Sequence, residues 1–225
     1  MSKRVYIGVG HGGSDPGATA NGLKEKDLNL STAKHLKTAL ERCGVSVKMS
    51  RTTDAEVFIE TRIKEANAFN ADLALDIHYN AGGGDGAEVY YTRFGGKGKT
   101  LANNILKRFG EIGQNSRGAK IKLNSAGNDY FGFVRQTNMP AVLVECAFVD
   151  NKKDIAIADT EAERKKIAEA ICKAICDTLK IKYVAEPAYT YTVTVSGIKT
   201  KAKAEKLASV IKDEGYSATV KAVKK

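Results

Sequence analysis

Two histidines, each at the end of an apolar run, are the residues of this chain best placed to do chemistry. Arg4-Val5-Tyr6-Ile7-Gly8-Val9 leads into Gly10-His11-Gly12-Gly13-Ser14-Asp15-Pro16-Gly17, and Leu73-Ala74-Leu75-Asp76-Ile77 leads into His78. The glycines leave His11 open to close approach, because no neighbouring Cβ blocks it. With only three histidines in 225 residues, two at strand ends point to a shared task, and the shared task of two imidazoles is to hold a metal. Two acids fit the same picture. Glu25 opens a helix just after the glycine-rich loop, where the helix dipole favours a carboxylate. Glu145 lies near the end of the apolar run Ala141 to Cys146, where a lone acid is costly to bury without a partner or a task. A hydrolytic zinc site takes three protein ligands, N or O, and leaves a fourth position for water. Residue types and spacing reach a hydrolytic metal site and stop there.

The elements that must position these groups follow from periodicity. The first strand runs into a glycine-rich loop ending near Gly22, and Glu25 to Cys43 reads as a helix carrying Leu28, Leu36 and Leu40, stopped by Gly44. A strand over Val45 to Met49 precedes Asp54, which is expected to cap a helix from Ala55 to Phe69. Asp72 to His78 shows little polar alternation, as a parallel strand covered on both faces should. Further strands are expected over Ala87 to Thr92 and Ala141 to Cys146, with a short, weakly patterned one after Ala119. Helices are expected over Lys99 to Ile112 and Glu161 to Ile181, the second with Ile167, Ile171, Ile175 and Leu179 in register. Alternating strands and helices predict an α/β fold: a mainly parallel twisted sheet covered by helices on both faces, with its site at the strand ends.

The pattern breaks at residues 183–188, which read as a linker between a main domain over 1–182 and a small unit over 189–225. That unit reads as βαβ: strands over Tyr189 to Val195 and Tyr216 to Val223 around a helix over Lys199 to Glu214. Eight lysines against three acids give it half of the chain's net charge of +10. It is too small to bury a core of its own, so it is expected to pair with a copy of itself or to dock on the main domain. The overall basic balance favours an anionic partner, whether nucleic acid, membrane surface or acidic wall polymer. Cys43, Cys146, Cys172 and Cys176 read as reduced core residues, their spacing suggesting neither a zinc knuckle nor a disulfide scaffold. No run of 18 apolar residues predicts a membrane span. No apolar signal core follows Met1-Ser2-Lys3-Arg4, so synthesis in the cytoplasm without a signal peptide is expected.

Gly8-Val9-Gly10-His11-Gly12-Gly13 also matches a dinucleotide-binding glycine pattern after a strand. That reading needs a helix to start at the third glycine and hold the pyrophosphate. Asp15-Pro16-Gly17 and Asn21-Gly22 keep the chain non-helical, and the second strand ends at Arg51 rather than an acid.

Four stretches, taken together, resemble a known family. Gly10 to Ala18, Gly22 to Leu30, Asp76 to Ala81 and Pro140 to Phe148 are similar to the signatures of the zinc-dependent N-acetylmuramoyl-L-alanine amidases of the amidase-3 type, in order, over residues 3–181. The resemblance implies that His11, Glu25 and His78 bind one zinc ion and that Glu145 is the catalytic acid/base. It implies cleavage of the amide between N-acetylmuramic acid and L-alanine of the peptidoglycan stem peptide; with no export signal expected, delivery to the wall as a phage or prophage lysin is the expectation. Peptidoglycan is then the partner rather than nucleic acid. Asn80, two residues beyond His78, is the candidate for touching substrate, while Arg51, Arg62 and Arg135 read as structural and His35 as a solvated surface residue. Asp76, on the same side of its strand as His78, is either an acceptor for that histidine or a buried structural acid. The C-terminal unit weakly resembles half of a SPOR-type wall-binding module, with homodimerisation as the alternative. A non-catalytic wall-binding protein on an amidase scaffold is the competing reading of the whole.

Overall fold

The computed structural model describes residues 2–187, 198–213 and 220. The chain divides into two compact units, residues 1–186 and 187–225.

The first unit opens with β1 (Arg4–Val9), followed by a small hairpin of β2 (Thr19–Ala20) and β3 (Leu23–Lys24). The hairpin turns at Asn21-Gly22, where both φ angles are positive, 50° and 77°, as a two-residue turn between antiparallel strands requires. Then come α1 (Glu25–Arg42), β4 (Ser46–Met49), α2 (Ile59–Ala68), β5 (Leu73–Asn80) and β6 (Ala87–Tyr91). After these follow α3 (Gly96–Glu111), β7 (Ser116–Lys120), α4 (Gly132–Gln136), β8 (Ala141–Phe148), α5 (Lys152–Ile155) and α6 (Glu161–Leu179). In the second unit, α7 (Lys201–Asp213) is the described element. The flanking strands expected at Tyr189 to Val195 and Tyr216 to Val223 fall outside the described residues, apart from Val220.

Six strands form one sheet in the order β4-β1-β5-β8-β6-β7. The first four are mutually parallel, while β6 runs antiparallel to β8 and carries β7 parallel to itself. The sheet is therefore mostly parallel with one reversal, and the reversal sits beside the strand that bears Glu145. Successive residues of a strand face opposite sides, and the two sides are covered unequally. Val5, Ile7, Val9, Leu73, Leu75, Ile77, Val142 and Val144 pack with the long helices α1, α3 and α6 in one large core. Tyr6, Ala74 and Ala141 pack with Ile63 and Ala66 of α2 and Phe133 of α4 in a much smaller one. The helices on this second side span 10 and 5 residues, too few to cover the strand ends.

One expected boundary moves for a physical reason. The second helix begins at Ile59, with Phe58 at its N-cap and no side-chain cap. Asp54 does not cap it. Its carboxylate instead accepts Gly13 N at 2.8 Å and Lys26 Nζ at 2.7 Å, fastening the glycine-rich loop to α1. His35 is not simply solvated: its Nε2 lies 2.6 Å from Glu161 Oε2, tying α1 to the start of α6. The arginines read as structural are so. Arg51 is buried and donates to the carbonyls of Val9, Gly10, Lys26 and Thr53. Arg135 donates to those of Asp129 and Tyr130.

Arg62 Nη1 lies 3.0 Å from both carboxylate oxygens of Asp76, and both residues are buried. Burial opposes the charge on Asp76, and Arg62 and His78 overcome it, holding the carboxyl below its ordinary range. Removing one member of such a pair leaves an uncompensated charge inside. Arg62→Met is accordingly expected to cost about 3–5 kcal/mol, read as a lowered denaturant midpoint at unchanged slope.

Candidate metal centre

The C-terminal ends of β1, β5 and β8 meet on the thinly covered side of the sheet. His11 lies two residues past β1 in left-handed backbone, φ 58°, a conformation that costs a non-glycine residue roughly 1–2 kcal/mol and recurs at functional sites. The turn aims the ring inward. Its Nδ1 is 2.6 Å from Asp15 Oδ2, and its Nε2 is 3.1 Å from Glu25 Oε2. With the proton on Nδ1 and given to Asp15, the Nε2 lone pair faces the site.

Glu25 is the first residue of α1 and is buried. Its Oε2 accepts Ala18 N at 2.9 Å and its Oε1 accepts Tyr79 N at 3.1 Å. Its Oε1 also lies 2.8 Å from His78 Nδ1. Burial alone pushes this carboxyl upward, but the two imidazoles override burial and hold it well below the carboxylate range. His78, on β5, turns its Nε2 to within 3.5 Å of Asp76 Oδ2, and Asp76 is fixed in turn by Arg62. Asp76 is thus the buried structural acid of the two roles considered for it, and it stands behind His78 at ion-pair distance. Burial disfavours the charged form of each histidine; bonds to Glu25 and Asp15 raise His11, and bonds to Asp76 and Glu25 raise His78 to about 10.

Two glycines make this approach sterically open. A Cβ at Gly10 would stand 2.2–2.6 Å from three atoms of the His78 ring. At Gly17, φ 64°, it would stand 2.6 Å from both Glu25 Oε2 and the His11 ring. The His11 and His78 rings sit edge to face with centroids 5.1 Å apart. One ligand atom each from His11, Glu25 and His78 lies within 4.8 Å of the others, so these three residues can hold a metal ion. Two imidazole nitrogens and a carboxylate oxygen, with carboxylates behind both imidazoles, are the donors and supports that a catalytic zinc site takes.

Glu145 sits directly across from His78 in the β5–β8 register. Its Oε2 is enclosed and has no hydrogen-bond partner, so the residue is not one half of a buried ion pair. Burial, aided by Glu25 and Glu88 and opposed by His78 and His11, raises its carboxyl to about 7. On the other flank, β6 places Glu88 opposite Glu145. Glu88 is buried and takes Arg117 Nε at 2.7 Å, Lys120 Nζ at 2.5 Å and Tyr90 OH at 2.6 Å. Neighbouring strands thus hold one carboxylate charged by cations and another near neutrality by isolation. Asn80 ends β5 after a register shift. Its Oδ1 accepts Ala81 N, and its Nδ2 is 3.4 Å from Glu88 Oε2, which puts it at the rim between β5 and β6.

Asp15 and Glu88 are the contributors that sequence reasoning passed over. Asp15 sits in a loop without periodicity, and its only signal is a position four residues after His11. Glu88 sits in a strand whose direction its residues do not reveal.

A family model described as N-acetylmuramoyl-L-alanine amidase matches residues 5–177. The N-acetylmuramoyl-L-alanine amidase CwlM of Bacillus licheniformis is 37% identical over 221 residues, covering 96% of this chain and 84% of that protein. The endolysin of Bacillus phage SPP1 is 38% identical over 191 residues, covering 81% and 68%. Among solved structures, the catalytic domain of the amidase CwlV from Bacillus (Paenibacillus) polymyxa superposes with a TM-score of 0.72 at 30% identity, over 80% of this chain and 99% of that one. The match spans every strand that carries a site residue, and the chain belongs to the N-acetylmuramoyl-L-alanine amidase family.

Proposed function

We propose that this chain hydrolyses the amide bond between the lactyl group of N-acetylmuramic acid and L-alanine in peptidoglycan, using a zinc ion held by His11, Glu25 and His78. The convergence of those three ligands beside the partnerless Glu145 Oε2 carries the reading. A zinc ion there supplies Lewis acidity, polarising the scissile carbonyl and making water a competent nucleophile near neutral pH. The remaining work falls to the chain's own groups. Asp15 and Asp76 take the outward N–H of each histidine, fixing tautomer and ring orientation. Glu145, poised near neutrality, accepts a proton from the attacking water and delivers it to the departing alanine nitrogen. Asn80, at the rim, presents its amide to the stem peptide.

The C-terminal unit belongs to this reading as a basic attachment to the anionic wall or as a dimer contact. The similarity to CwlM covers 96% of the chain and so continues into this unit. Among the described residues no helix is long and apolar enough to cross a membrane; the site of action is the cell wall itself.

Metal removal tests the catalytic claim. Purified protein incubated with cell walls should release new N-terminal alanine, lose that activity with a chelator, and regain it on adding zinc. No release by zinc-loaded protein sinks the proposal and favours a wall-binding protein on an amidase scaffold. Release that persists in chelator retires the metal.

A further inference from the structure

Far along α1 from Glu25 lies a second cluster of metal-binding side chains. Cys43 directly follows the helix, and Cys172 and Cys176 sit one turn apart on α6, where residues at that spacing project side by side. All three Sγ atoms lie within 4.8 Å of one another, and Cys43 Sγ is 3.8 Å from Cys172 Sγ. All four cysteines are free, and Cys146, Cys172 and Cys176 are buried as expected of core residues, while Cys43 is partly exposed; what the expectation of plain core packing leaves out is that three of them meet.

We infer that Cys43, Cys172 and Cys176 form a second metal site, one that takes a thiophilic divalent ion of the zinc class through three sulfurs. Zinc–sulfur bonds of about 2.3 Å in tetrahedral geometry set neighbouring sulfurs about 3.8 Å apart, the separation found between Cys43 and Cys172. A disulfide would use two of these sulfurs and strand the third, whereas one ion uses all three. A strap over residues 181–186 meets the group from one side: Val184 N donates to Cys43 Sγ at 3.3 Å, and Cys43 Sγ lies 3.8 Å from Val184 O. Arg42 fixes that strap by donating to Val184 O at 2.8 Å and to both oxygens of Glu169 at 2.7 Å. Tyr183 OH donates to Glu169 at 2.6 Å. The cluster is closed on one side and reachable on the other, since Cys172 and Cys176 are buried and Cys43 is partly exposed.

Binding replaces three S–H bonds by three metal–sulfur bonds and releases three protons, with no change of oxidation state. The result is an anionic centre next to the Arg42 guanidinium. It would pin the end of α1 to α6 and to the strap over residues 181–186, before the second unit begins.

Reduced, metal-free full-length protein reconstituted with cobalt(II) and then with zinc tests this. Wild type should show sulfur-to-cobalt charge-transfer absorption in the near ultraviolet and should bind one more zinc ion per chain than C43S/C176S. The double variant should keep its wall-hydrolysing activity within about twofold, since no cysteine touches the catalytic side of the sheet. His78→Ala should keep the sulfur band, which separates this site from the first whatever the first turns out to do. Equal zinc content in wild type and the double variant, or a cobalt spectrum lacking thiolate bands, overturns the inference. So does a Cys43–Cys172 disulfide in protein that takes up no second ion.

Discussion

Glu145→Gln should leave the protein folded and zinc-loaded but slow wall hydrolysis by about 10²–10⁴-fold, the contribution typical of a positioned acid/base. Glutamine keeps the volume and removes the proton-carrying function. The Oε2 of Glu145 has no hydrogen-bond partner, so the substitution breaks no existing hydrogen bond at that atom. Glu25→Gln is the informative contrast. That carboxylate faces both imidazoles and two backbone N–H groups, so neutralising it should release metal and activity together. Alanine release and metal content, measured on the same preparations, separate the two carboxylates. Loss of zinc from Glu145→Gln would mean that the base and a ligand have been exchanged in the assignment.

Gly10→Ala should weaken metal binding by about 10–100-fold, the range for disturbing a ligand's support, without unfolding the chain. Gly10 is not among the residues with positive φ, so alanine suits the backbone and the effect comes from contact alone. A Cβ at 2.2 Å from His78 Cε1 forces the ring to move, and with it the nitrogen that faces Glu25. Competition against a chromophoric chelator measures the loss. Activity should recover at high zinc if the ring is only displaced. Unaltered affinity would show that the His78 ring does not need the position it occupies against Gly10.

Much of this site is legible in the sequence, because its parts sit at punctuation marks in the chain. His11 and His78 end apolar runs, Glu25 opens a helix, and Glu145 interrupts a buried strand; each is conspicuous against its local pattern. What was not legible depends on distant partners. Asp54 has the type and place of a helix cap, yet Gly13 and Lys26, both remote in sequence, claim its carboxylate. The direction of β6 is invisible in Ala87-Glu88-Val89-Tyr90-Tyr91, since parallel and antiparallel neighbours demand the same apolar residues. Only the observed antiparallel pairing brings Glu88 against Glu145. The cysteine group was missed for a related reason: Cys43 and Cys172 are separated by 129 residues, and no local spacing announces their meeting.

The unequal covering of the sheet separates two kinds of constraint along a single strand. In β5, Leu73, Leu75, Ile77 and Tyr79 face the large core, while Asp76 and His78 face the thinly covered side and the candidate metal centre. The residues that face α1, α3 and α6 are held by packing, whereas those on the other side answer both to a smaller core and to the polar groups that meet at the strand ends. Evolution, in this architecture, rewrites alternate residues.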